Sequence, residues 1–190
     1  MTTAQTETYS MTIAEAQLDM RTAYIGGSTG MLSSALVWMI AGFVALNMSS
    51  QQAVWALFIG GMFIHPISIV LTKIIGRSGK HNKNNPLASL ALASTFWMIL
   101  MLALAYVVSL FRMDLFFPAM LFIIGGRYLT FATLFGTRIY WLCGGALILA
   151  GYLLASNNAS PVIGAFTGSA IEAIFAVFIF ITTAKIKSNN

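Results

Sequence analysis

Charge is the scarcest property of this chain. Lysine, arginine, aspartate and glutamate make up 8% of its 190 residues, where a soluble domain carries about 25%. Such a composition cannot cover a water-facing surface, so a lipid-exposed surface follows. Acids are scarcer than bases, five against ten. Asp19 and Asp114 fall at or beyond the ends of apolar runs, leaving Glu172 as the one acid inside them. That excludes paired carboxylates and a Ser-His-Asp set. The single cysteine, Cys143, excludes an intrachain disulfide and a cysteine-pair metal site. It sits in an apolar run and is expected to be a buried, inert thiol. A metal site would need a second histidine in the apolar region, and His81 lies in a polar link. Gly26-Gly-Ser-Thr-Gly30 is no phosphate loop, because no strand precedes it and no Lys-Ser/Thr follows. These absences point away from an enzyme and from a cofactor or a bound metal. The net charge of +5 does not imply nucleic acid either, since the bases flank apolar runs rather than clustering with exposed aromatics.

What the chain has instead is length of apolar sequence. Six runs stand out: 31–48, 53–75, 87–111, 115–136, 139–155 and 161–184. A helix needs about 20 residues to cross roughly 30 Å of hydrocarbon, so each is a candidate span. Thr12-Ile-Ala-Glu15 fits a capping box opening a short helix to about Tyr24. Ile13, Met20 and Tyr24 would be its apolar face, and the expected setting is the membrane interface. Gly26–Gly30 then reads as a hinge. Residues 1–10 are polar and expected to be disordered. They lack the basic region of a cleaved signal, so the first run is expected to be retained as a span.

The bases orient the bundle. With the N-terminus inside and six crossings, Arg21, Lys73, Arg77, Lys80, Lys83, Arg138, Lys185 and Lys187 fall inside, and Arg112 alone outside. That bias puts both termini in the cytoplasm and the chain in the inner (plasma) membrane. The expected architecture is all-α: a polytopic bundle of six transmembrane helices arranged as three hairpins, preceded by a short amphipathic helix. Residues 1–27 would form the N-terminal segment, 28–185 the bundle and 186–190 the tail. Leu57-Phe-Ile-Gly-Gly61 and Leu121-Phe-Ile-Ile-Gly-Gly126 suggest that the hairpins repeat; chance in a Gly- and Phe-rich chain is the competing explanation.

Three ionisable residues lie inside the runs: His65, Arg127 and Glu172. A charge at the bilayer centre costs roughly 2.5–3.5 kcal/mol on insertion scales, and such residues face a bundle interior, pair, or line a path. Counted from Ala53, Pro118 and Pro161 on three parallel helices, they fall within roughly 5 Å of one depth. Gly164, Gly168 and Glu172 share a small-residue stripe suited to close packing. Gly61, His65, Ser68 and Thr72 share a polar face, as do Gly126, Thr130, Thr133 and Thr137, with Arg127 at the edge. The expectation is one inward cluster, with Ser68 and Thr130 as further binding or translocation residues. Its readings are a midplane site for a proton or small molecule, or an Arg127–Glu172 ion pair that merely fixes helix register. His65 precedes Pro66, which should kink its helix; the pair is either a gate or a locally packed bend. The lipid bilayer is the one implied partner, and a homo-oligomer stays open.

The stretches Gly76-Arg-Ser-Gly-Lys-His81, Pro118–Tyr128 and Gly125-Gly-Arg-Tyr-Leu-Thr-Phe-Ala-Thr133 resemble an uncharacterised bacterial family of small multi-pass membrane proteins, a domain of unknown function. The resemblance runs from about Met11 to Phe180. It implies a bacterial membrane protein with a single compact domain, and it carries no activity, cofactor or catalytic residue with it.

Overall fold

The computed structural model describes residues 11–188, with side chains given as far as Thr183. The expectations for residues 1–10 and for the side chains of Lys185 and Lys187 lie outside the described residues. Within them every regular element is helical: α1 (Ile13–Tyr24), α2 (Ser28–Asn47), α3 (Ser50–Ile74), α4 (Ala88–Phe111), α5 (Phe116–Phe135), α6 (Ile139–Ser156) and α7 (Pro161–Ser188). Six candidate spans are long and apolar enough to cross a membrane, the first carrying α1 at its head. Their outward side chains include Ile40, Trp55, Phe63, Phe96, Leu142 and Ile174, all exposed. An apolar surface that wide marks contact with something other than water.

Local chemistry places the helix ends. The Thr12 hydroxyl accepts from the Glu15 backbone while the Glu15 carboxylate accepts from the Thr12 backbone, so the capping box is complete. Ser49 caps α3 by accepting from the Gln52 backbone. The α1–α2 hinge is a single turn, Ile25–Gly27, with Gly26 at φ 61° and Gly27 at φ 85°. Glycine tolerates that left-handed region without strain. The turn is locked from across the bundle, because the buried Tyr140 hydroxyl donates to the Gly26 carbonyl. α3 runs through Pro66 as one element, although the ring leaves the Met62 carbonyl without its usual donor.

Chain order gives three hairpins, α2/α3, α4/α5 and α6/α7, but the most extensive packing joins neighbouring hairpins. α2 lies along α7, and α5 along α6. Small residues allow both approaches. Gly168 receives the Trp38 ring, Gly42 receives Phe166, and the Ser169 hydroxyl donates to the Ala35 carbonyl. On the other pair, Gly125 and Gly144 face each other so closely that a Cβ on Gly144 would lie 2.6 Å from the Gly125 carbonyl oxygen. α3 attaches to α2 through Gly60 against Val37 and through a hydroxyl cluster, Thr29 with Thr72 at 2.7 Å and Ser68 at 3.2 Å. α4 attaches mainly to α5.

Of the expected apolar face of α1, Met20 is buried and Tyr24 half-buried against the bundle. The helix buries Ala16, Met20 and Ala23, while Ile13 is exposed. The stripe at i, i+4 and i+7 on the side facing α5 and the α3–α4 link decides its seating. Gln17 donates to the Thr133 carbonyl at 2.8 Å. Asp19 accepts from the Asn82 backbone at 2.9 Å and from the Asn85 amide at 2.7 Å. The Tyr24 hydroxyl lies 2.8 Å from Nδ1 of His81. The basic link is therefore tied to α1, and the two together close one end of the bundle, called the basic end below.

Three substitutions test this packing. Gly144→Ala should separate α5 from α6 and lower stability by about 1–3 kcal/mol. Gly145→Ala, whose Cβ would meet nothing within 4 Å, should be neutral or gain up to about 1 kcal/mol of helix propensity. Tyr140→Phe should cost about 1 kcal/mol or more, since a buried hydrogen bond is lost. Unfolding in maltoside micelles measures all three.

Candidate functional site

Glu172 is the centre of the buried polar chemistry. It is 0% exposed and sits one turn beyond Gly168, where α7 is pressed against α2. Four helices meet around it. From α5 the Tyr128 hydroxyl donates to Oε1 at 2.6 Å, at the short end of O–H···O distances. From α2 the Ser34 hydroxyl lies beside the carboxylate. From α6 comes the fully buried Cys143. The second oxygen, Oε2, is buried and has no hydrogen-bond partner. A buried polar atom left unpaired is costly, and each one in a folded protein needs an explanation.

The expected Arg127–Glu172 ion pair is not formed. Among the described residues the one salt bridge is Arg112–Asp114 at 2.6 Å, on the surface. Arg127 turns the other way, towards α4. Its guanidinium donates to the Met98 sulfur and the Thr95 hydroxyl, each at 3.1 Å. It also lies 5.1 Å from the centre of the Phe131 ring, a cation–π contact. Its Nε is buried and unpartnered. The reason for the miss is angular. Successive residues on a helix point about 100° apart, so when Tyr128 faces α7, Arg127 must face elsewhere.

The remaining sequence candidates are also dispersed. His65 is exposed and makes no hydrogen bond among the described residues. Ser68 joins Thr29 near the basic end rather than reaching Glu172. Thr130 is half-buried and donates to the Arg127 carbonyl at 2.7 Å, a bond within its own helix. The α5 stripe expected to face inward does not: Thr133 is exposed and Gly126 faces open space. α5 packs through Gly125 instead, one residue round the helix. His65, Arg127 and Glu172 are therefore not one cluster.

Tyr128 and Ser34 escaped the sequence reading. A tyrosine inside an apolar run carries a signal, since a buried hydroxyl must find an acceptor; the one acid among the runs was its natural partner. Ser34 carries none, because serine is common at membrane helix contacts. Two cavities lie away from Glu172. One, of about 210 Å³, is lined by Thr29, Leu32, Leu71, Ala176 and Phe180. The other, of about 270 Å³, lies by Gln17, Thr133, Arg138 and Trp141 at the basic end. Neither is lined by His65, Arg127 or Glu172. No group of three His, Cys, Asp or Glu among the described residues is placed to hold a metal ion.

No curated protein and no solved structure matches this chain. A family model does, across almost all of the described helices, and by that match over residues 13–182 the chain belongs to a family of unknown function, DUF7010.

Proposed function

We propose that this protein is a proton-linked permease for a small solute, set in the inner (plasma) membrane with both termini in the cytoplasm. Glu172 is the proton-carrying group. The observation that supports this most is the sealed carboxylate itself. It lies midway along an apolar helix, has no cation within ion-pair distance, and holds one oxygen bonded to Tyr128 and the other free. Intramembrane carboxylates of this kind recur in proton relays. Tyr128 and Ser34 form a hydroxyl path from it, Tyr128 on α5 and Ser34 on α2. The excess of bases at the basic end supports the orientation.

A second reading, a non-transporting scaffold or sensor, is favoured by one observation. Neither cavity reaches Glu172, so the Tyr128–Glu172 bond would serve to fix α5 against α7.

Glu172→Gln separates the two. The amide keeps the shape and still accepts from Tyr128, so the fold is retained, but the group can no longer exchange a proton. In liposomes carrying an internal pH dye, the permease reading expects proton flux to fall at least about tenfold with an unfolding midpoint close to the parent's. Unchanged flux, or no flux above empty liposomes in the parent protein, sinks that reading and leaves the scaffold.

A further inference from the structure

α3 presents one face whose two ends are occupied and whose middle is not. Val54, Gly61 and Ser68 are spaced by seven residues, and so are Phe58, His65 and Thr72. Residues seven apart on a helix point within about 20° of each other. Val54 is 0% exposed. Phe58 stacks on Phe116 of α5 at 5.8 Å and meets Tyr106 of α4 at 5.7 Å. Ser68 and Thr72 are tied to Thr29. Between these ends, His65 and Gly61 are exposed, and a Cβ on Gly61 would meet nothing within 4 Å. The face that should meet the bundle is thus open at mid-height.

The opposite walls follow from the same ring contacts. Arg127 lies eleven residues beyond Phe116 on α5, on the same face within about 20°. Thr95 lies eleven residues before Tyr106 on α4, again on one face, and it is the residue that Arg127 contacts. Measured from the Phe58–Tyr106–Phe116 cluster, His65 is roughly 10 Å and Arg127 roughly 16 Å along their helices towards the basic end. Apart from the aromatic cluster, α3 and α4 touch little. Helical phase and the sparse α3–α4 contact thus imply a gap between these two helices, closed by aromatics at one end, with Arg127 towards its back and His65 towards its rim.

Its charge is one-sided. Neither α3 nor α4 contains an acid. Glu172 stands on the other side of α5, behind Tyr128. Arginine stays charged, with five N–H donors, and here its partners are a hydroxyl and a thioether, both neutral. They solvate the guanidinium, which makes no ion pair; the acid that acts on it, Glu172, does so only from a distance. The surroundings of the opening are apolar: Met62, one turn from His65, is 77% exposed, and Met98 and Leu102 are half-buried on α4. A single fixed cation suits a single negative charge, and open apolar flanks suit a tail.

We propose that the α3–α4 opening binds a carboxylic amphiphile, a medium-chain fatty-acid anion, which enters sideways from the apolar flank and places its carboxylate on Arg127, with His65 at the mouth. The inference deepens the permease reading by naming the solute. Binding at equilibrium, without a gradient, is measured separately from flux, so either can fail alone.

The test is ligand-induced stabilisation of the purified protein in dodecyl maltoside, titrated with decanoate, decanol, decyl phosphate and acetate. Decanoate should raise the unfolding midpoint saturably. Decanol lacks the charge and acetate lacks the tail, so neither should. Arg127→Gln should weaken decanoate binding at least about tenfold, and Arg112→Gln, which alters an exposed surface pair, should not. Should Arg127→Gln fail to fold, Gly61→Leu takes its place. A Cβ there would meet nothing within 4 Å, so the leucine should leave the unliganded midpoint close to the parent's while its branch occupies the gap and abolishes the decanoate shift. Equal stabilisation by decanol or by acetate, tighter binding of decyl phosphate than of decanoate, persistence of the shift in Gly61→Leu, or no shift at all would each overturn the proposal.

Discussion

The approach of α7 to α2 governs the rest of the molecule. Gly168 lets the indole of Trp38 lie directly on the α7 backbone, and Ser169 donates across to the Ala35 carbonyl. A side chain at 168 would hold the helices apart. With the contact made, the next turn of α7 carries Glu172 into the interior, beyond the reach of solvent or lipid. Tyr128 and Ser34 can then serve it only because α5 and α2 converge at the same level. The buried carboxylate is thus a consequence of backbone proximity as much as of its own chemistry. In an apolar bundle dispersion and close fit supply the cohesion, and small residues set how near two helices come.

A second constraint is angular. Helical geometry gives each residue of α5 a fixed direction relative to its neighbours, and the bundle surrounds α5 with α4, α6 and α7 on different sides. Gly125 goes to α6, Tyr128 to α7 and Arg127 to α4. Positions 125, 127 and 128 are thus sorted onto three sides of one helix by its 100° rotation per residue. The acid and the base of the midplane therefore form no ion pair, because they lie on different sides of α5. Each keeps an unpaired atom, which two groups in direct contact would not.

Most of the architecture was legible in the sequence. Six apolar runs became six long helices with ends shifted by a few residues, because run length and the flanking Ser49, Gly136 and Pro161 mark where apolar periodicity stops. The capping box at Thr12 was readable because its partners are three residues apart. The α7 stripe pointed inward as its glycines indicated. Helix order in space was not legible. Hairpin connectivity does not say which hairpins lie side by side, and here α2 lies along α7, from the far end of the chain, while α5 lies along α6, the first helix of the next hairpin. From that one unreadable fact follow the errors at the site: the polar stripe of α5 assigned to the inside, Arg127 given to Glu172, and Tyr128 overlooked. The seating of α1 was hidden for a similar reason, since Asn82, Asn85 and Thr133 lie far along the chain and carry no mark of the helix they bind.

The distances along the chain in those last contacts bear on how the molecule is made. Gln17 closes on a carbonyl 116 residues later, and Gly26 on a hydroxyl 114 residues later. While the chain emerges from the ribosome, Asp19 and Tyr24 can meet the α3–α4 link once it is made, but Gln17 and the turn behind α1 have nothing to close upon until the fourth and fifth apolar segments, which carry Thr133 and Tyr140, have been synthesised. The first helix to be made is among the last to be fully seated. Its docking reports that α5 and α6 have already come together, so the closed basic end is a mark of completed assembly, written by the segment that waited longest.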